Sequence, residues 1–81
     1  MNIQITDLSR KMTEDELTKI FLPFGKVSST TIIMDKATGK SKGFGFVEMD
    51  DEKEGLLAIK NLHKSRVEGK LISVKRAKDF K

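Results

Sequence analysis

Asn2-Ile3-Gln4-Ile5-Thr6 alternates polar and apolar side chains, the period of a half-buried strand with Ile3 and Ile5 turned inward. Thr13-Glu14-Asp15-Glu16 then sets a threonine three residues ahead of a glutamate, the capping box that opens a helix. Leu17, Ile20 and Phe21 continue it at helical spacing until Pro23 and Gly25 stop the run. Val27 to Ile33 is rich in β-branched residues and predicts a second strand. A turn-rich loop, Asp35 to Lys40, leads into a third strand, KGFGFVEM, at residues 42–49. Asp51 and Glu54 open a second helix, which Leu56, Ile59 and Leu62 carry with Ala58 on the same face. Gly55 falls inside that helix, where glycine is unfavourable by about 0.5–1 kcal/mol relative to alanine, and no local pattern asks for it. Gly69 breaks the chain again, and Lys70 to Lys75 alternates as a fourth strand.

The order β-α-β-β-α-β is one of the recurring small α+β units. Six elements in one domain normally make two layers, so both helices cover one face of the sheet and leave the other open to water. The register of the third strand then decides what the open face carries. Side chains alternate across a strand, so Lys42, Phe44, Phe46 and Glu48 share one side and Gly43, Gly45, Val47 and Met49 the other. Burying the phenylalanines would pull Lys42 and Glu48 toward the core, and an unpaired buried charge costs several kcal/mol. Snorkelling at the strand ends would relieve part of that cost. It would also leave two glycines as the solvent face, which weakens a strand for no gain. The favoured register therefore buries Val47 and Met49, lays the glycines close under a helix, and exposes Phe44 and Phe46.

The chain of 81 residues is sized for one domain with a modest core, so two exposed phenylalanines out of five are a notable expense of apolar surface. The formal net charge is +4 and the pI about 9.5, which favours an acidic partner. The absence of cysteine excludes disulfides and thiolate metal sites and fits a reducing compartment. The N-terminus lacks the apolar core of a secretory signal and no run reaches membrane-spanning length, so the expected setting is intracellular and cytoplasmic, with no membrane partner. Ala37-Thr38-Gly39-Lys40-Ser41 ends like a phosphate-binding loop, but Met34 stands where the first glycine of that loop belongs. The acidic run from Asp50 to Glu54 lacks calcium-loop spacing and suits helix capping. His63 is the single histidine, with no nucleophile suggested beside it. Nothing assembles a nucleophile, a base and an oxyanion donor. No catalytic residue, metal or cofactor is expected.

KGFGFVEM resembles the long ribonucleoprotein motif of the RNA recognition motif (RRM) family: basic, Gly, aromatic, small, Phe, Val, any residue, aromatic. Six of the seven specified positions agree, with Met49 replacing the final aromatic. The element order also fits, and the similarity runs from Asn2 to about Ala77. The resemblance implies a ferredoxin-like sandwich: a four-stranded antiparallel sheet, first and third strands central, with two helices on one face. It implies a single RRM domain over residues 1–81, core about 2–77, with a short basic tail at 78–81. It further implies that Phe44 and Phe46 stack on bases or pack on sugars and that Lys42 pairs with a phosphate. The shorter family motif departs at Ile3-Gln4-Ile5-Thr6-Asp7-Leu8, where Gln4 replaces an outward aromatic and Asp7 stands where asparagine is common. A glutamine amide can still hydrogen-bond a base edge, and weaker binding than in a three-ring member is expected.

Alternation places Thr31 and Ile33 of the second strand, and Leu71, Ser73 and Lys75 of the fourth, on the open face as well. Lys75, Arg76 and Lys78 would form one basic edge, and Lys36, Lys40 and Lys42 another beside the long loop. The expected RNA-binding set is therefore Gln4, Thr31, Ile33, Lys42, Phe44, Phe46, Ser73, Lys75, Arg76 and Lys78. The expected partner is single-stranded RNA, because duplex bases are already stacked on one another. Single-stranded DNA would satisfy the same stacking and phosphate contacts. The rival expectation is an RRM-like protein-interaction module that docks a partner on Phe44, Phe46, Ile33 and Leu71. A monomer is expected, with a homodimer through the sheet face left open.

Overall fold

The computed structural model describes residues 1–77 of the chain. Its elements are β1 (Asn2–Thr6), α1 (Glu14–Phe21), β2 (Val27–Met34), β3 (Ser41–Met49), α2 (Glu52–Leu62), β4 (Arg66–Val67), β5 (Lys70–Leu71) and β6 (Ser73–Arg76), with a single 3-10 turn at Leu22–Phe24 after α1. The main sheet is antiparallel in the order β2-β3-β1-β6, so β1 and β3 are central, and both helices pack on one side of it. This is the ferredoxin-like sandwich.

Both helix starts are the ones the sequence announces. Thr13 Oγ1 accepts from the Glu16 amide at 3.1 Å, and Glu16 Oε1 accepts from the Thr13 amide at 3.0 Å, closing the capping box. Asp51 Oδ1 accepts from the Glu54 amide at 3.1 Å and opens α2. Between helices and sheet lies a core of Ile3, Ile5, Leu17, Phe21, Val47 and Met49, all fully buried. Ile32, Ile72 and Val74 extend it under the outer strands.

The face of α2 is rotated from its expected position. Gly55, Ala58 and Leu62 are the buried residues, whereas Leu56 is 48% exposed. The reason is a close approach: a Cβ on Gly55 would run into the Met1 thioether and lie 3.7 Å from Ile3 Cδ1. Glycine lets the first turn of α2 settle onto the N-terminal end of β1, and that contact, rather than Leu56, sets the helix face.

The fourth strand also differs. Lys70 and Leu71 pair not with the main sheet but with Val67 and Arg66, as a separate ribbon. The turn between them is Glu68-Gly69, with φ of 52° and 78°, the two positive values of a type I′ hairpin. Only Ser73–Arg76 joins the sheet, paired with Ile3–Thr6. Leu71, expected on the open face, instead lies in this ribbon, 56% exposed.

The closest neighbours of the two glycines of β3 come from an adjacent strand and a loop rather than from a helix. Gly45 is pressed against the neighbouring strand: a Cβ there would stand 2.5 Å from the Thr31 carbonyl oxygen. Gly43 sits where the β2–β3 register slips, between the pairs Ile32↔Gly45 and Met34↔Ser41. Its φ of +86° is one that L side chains rarely adopt, and its carbonyl accepts from the Leu8 amide at 2.8 Å. The irregularity ties the start of β3 to the loop after β1.

Candidate nucleic-acid interface

The sheet register turns the open-face residues into rows. Thr31, Phe46, Gln4 and Lys75 stand opposite one another across β2, β3, β1 and β6. Ser29, Glu48 and Asn2 form the next row toward the C-terminal end of β3. Directly paired residues project to the same side of a sheet, so each row is a line of side chains across the face opposite the helices. Val47 and Met49 are fully buried while Phe44 and Phe46 are only partly covered, which places both rings on the open side.

The two phenylalanines are an edge-to-face pair, with centroids 6.4 Å apart and planes at 88°. That arrangement is favourable for the rings themselves. It also means that one flat base cannot lie on both, so each ring offers a separate contact. Ile33 is half-buried beside Phe46, in a shallow depression with Thr31 and Glu48. Ser73 pairs with Thr6 in register, and its hydroxyl is 3.5 Å from Asp7 Oδ2, a marginal hydrogen bond.

Two cations that the sequence reading left out come to this face. Arg10, from the loop after β1, and Lys70, from the small hairpin, line depressions around Phe44 together with Lys42. Lys40 joins them from the β2–β3 loop. In an antiparallel arrangement the end of β1 and the start of β3 lie at one end of the sheet, so topology gathers these loops there. Alternation within strands gives no information about loop residues. The element order was the signal that could have found them.

Arg76 stands apart from the set. It is paired in register with the buried Ile3 rather than with Gln4, so it projects to the helix side, where its guanidinium meets Glu52 at the start of α2 at 2.5 Å. Both side chains are more than half exposed, and such pairs contribute little, about 0–1 kcal/mol. Lys36 is exposed and lines neither of these two depressions around Phe44. Lys78 lies outside the described residues. His63 has a structural contact: its Nδ1 accepts from the Val74 amide at 3.0 Å, tying the end of α2 to β6.

Comparison with known proteins bears on this geometry. RbpE of Nostoc is 36% identical over 78 residues, covering 96% of this chain and 79% of that protein. The RNA-binding protein BRN2 of Arabidopsis thaliana is 37% identical over 78 residues, but the chain spans only 18% of its length. Among solved structures, the crystal structure of RNA binding protein PG1 superposes with a TM-score of 0.96 at 38% identity, covering all of this chain and 98% of that one. The family model for the RNA recognition motif matches residues 3–73. With that match spanning most of the chain, and the open sheet carrying its motif in place, the chain belongs to the RNA recognition motif family.

Proposed function

We propose that the domain binds single-stranded RNA across the open face of its sheet. The observation that carries this reading is the pair of partly exposed phenylalanine rings at right angles on the face opposite the two helices. Every base has a π-face, and a stacked base is worth about 1–3 kcal/mol. One ring takes a base on its flat side and the other packs a neighbouring base or sugar. Lys75 at one edge and Lys42, Arg10, Lys40 and Lys70 around Phe44 supply phosphate partners on either side of the rings. Gln4, in the row between Phe46 and Lys75, offers amide hydrogen bonds in place of a third ring. The family and the names of its similar proteins support RNA as the partner. We assign the site to binding rather than catalysis, and an RNA partner is in keeping with an intracellular, cytoplasmic setting.

Fluorescence anisotropy with short labelled RNA tests this. If about three or four phosphates are neutralised, log K falls with log salt at a slope of roughly −2 to −3. The double variant Phe44→Ala, Phe46→Ala loses at least about tenfold in affinity at every salt concentration. A flat salt dependence together with unchanged affinity in the double variant would move the reading to a protein partner on the same face.

A further inference from the structure

Glu48 is a carboxylate on the open face, away from the cations grouped around Phe44. It stands in the row next to Phe46, with Ser29 and Asn2 opposite it on the two sides. Its hydrogen bond from Ser29 Oγ is a long one, 3.4 Å to Oε1, and among the described residues it has no ion-pair partner. The flanking positions are neutral, and among the described residues the nearest cation along β6 on this face, Lys75, belongs to the row of Gln4. Glu48, Ser29, Thr31, Asn2 and Phe46 line one depression. A stacking ring, an acceptor-only carboxylate and hydrogen-bonding side chains of neutral residues thus converge on one shallow site.

We infer that this depression reads guanine, with Glu48 as the specificity-determining residue. The inference rests on the open-face RNA reading and deepens it. An ionised carboxylate presents two acceptor oxygens and no donor. Of the four RNA bases, guanine alone offers two adjacent donors on its Watson–Crick edge, N1–H and N2–H, spaced for the two oxygens. Its O6 acceptor lies beside them, within the province of a hydroxyl donor such as Ser29 or Thr31. Adenine and cytosine each offer one amino donor next to a ring nitrogen that would face the second oxygen lone pair to lone pair. Uracil offers one N–H between two carbonyls and fares worst. A base stacked on Phe46 has its edge available to the neighbouring row, where the carboxylate is. Glu48 is exposed and meets no cation among the described residues, so the bidentate contact is made only when the right base arrives.

The test uses the whole chain and anisotropy titrations with short uridine-rich RNA carrying one guanine, inosine, adenine or cytosine at a central position. The expected result is guanine tightest by about ten- to hundredfold over adenine, typical for a good bidentate pair, with inosine between them because it lacks the N2 amino group. Glu48→Gln, at an exposed position that leaves the core untouched, flattens the series to within about threefold. Equal binding of all four RNAs by the unaltered chain would overturn the guanine reading while leaving the stacking platform standing. A uniform gain in affinity for every RNA in Glu48→Gln would also overturn it, since that is the behaviour of a charge that merely repels phosphates. Failure of every RNA to bind would remove the platform and this inference with it.

Discussion

Gly45→Ala is the sharpest perturbation of the scaffold under the binding face. The added Cβ would stand 2.5 Å from the Thr31 carbonyl oxygen and 3.3 Å from Ile32 Cα, both backbone atoms of β2. Neither atom can swing aside as a side chain would. Thr31 and Ile32 are held in the ladder opposite Phe46 and Gly45, so relief requires β2 to draw back from β3. Overpacking of this kind costs about 1–3 kcal/mol, and each ladder hydrogen bond stretched past use removes about 1 kcal/mol more. Against this, alanine narrows the unfolded ensemble and returns about 0.4–1 kcal/mol. The net expectation is a loss of about 1–3 kcal/mol, or a fall in melting temperature of roughly 5–20 °C for a domain of this size. The chain has no tryptophan or tyrosine, so thermal and urea unfolding followed by far-ultraviolet circular dichroism is the suitable assay. Gly39→Ala is the comparison, because a Cβ there has nothing within 4 Å and only the positive φ of 72° opposes it. A Gly45→Ala variant as stable as the unaltered chain would refute the close approach of β2 to β3.

Three further substitutions test the joints of the fold. Thr13→Ala removes the side-chain half of the capping box and lowers stability by about 1 kcal/mol in urea unfolding. Glu68→Asn raises stability by up to about 1 kcal/mol and slows amide exchange in the hairpin, because asparagine tolerates the left-handed first position of the I′ turn better than glutamate does. No change or a loss there would argue against that turn. His63→Ala removes the acceptor of the Val74 amide and costs about 1 kcal/mol; nitrogen chemical shifts of the unaltered imidazole should show the proton on Nε2, with Nδ1 accepting.

Period-two alternation made most of the platform legible. Strand β3 carries its charges and its rings on the same parity, so the unwillingness of Lys42 and Glu48 to be buried settled where Phe44 and Phe46 point. The same parity separates Lys75 from Arg76: neighbours on a strand face opposite ways, and the guanidinium belongs with Glu52 on the helix side. Reading both as one basic edge ignored that rule. Gly55, Gly43 and Gly45 were illegible because their reasons are tertiary: a methionine over a helix, a slipped register, a carbonyl on the next strand. The hairpin at residues 66–71 was hidden because glutamate is not a usual turn residue, and the chain still adopts the turn with Gly69 in its second place. Arg10 and Lys70 required knowing which loops share an end of the sheet, which follows from element order rather than from any local pattern.

The most direct test of the open-face site is a two-dimensional amide NMR titration with a degenerate pool of short single-stranded RNA. Shifts gathered at Gln4, Thr31, Lys42, Phe44, Phe46, Glu48 and Lys75, with the amides of Leu57 and Lys60 on the solvent side of α2 unmoved, are the predicted result. Silence along β1 and β3 at high micromolar RNA, or shifts gathered on the helices instead, would contradict it.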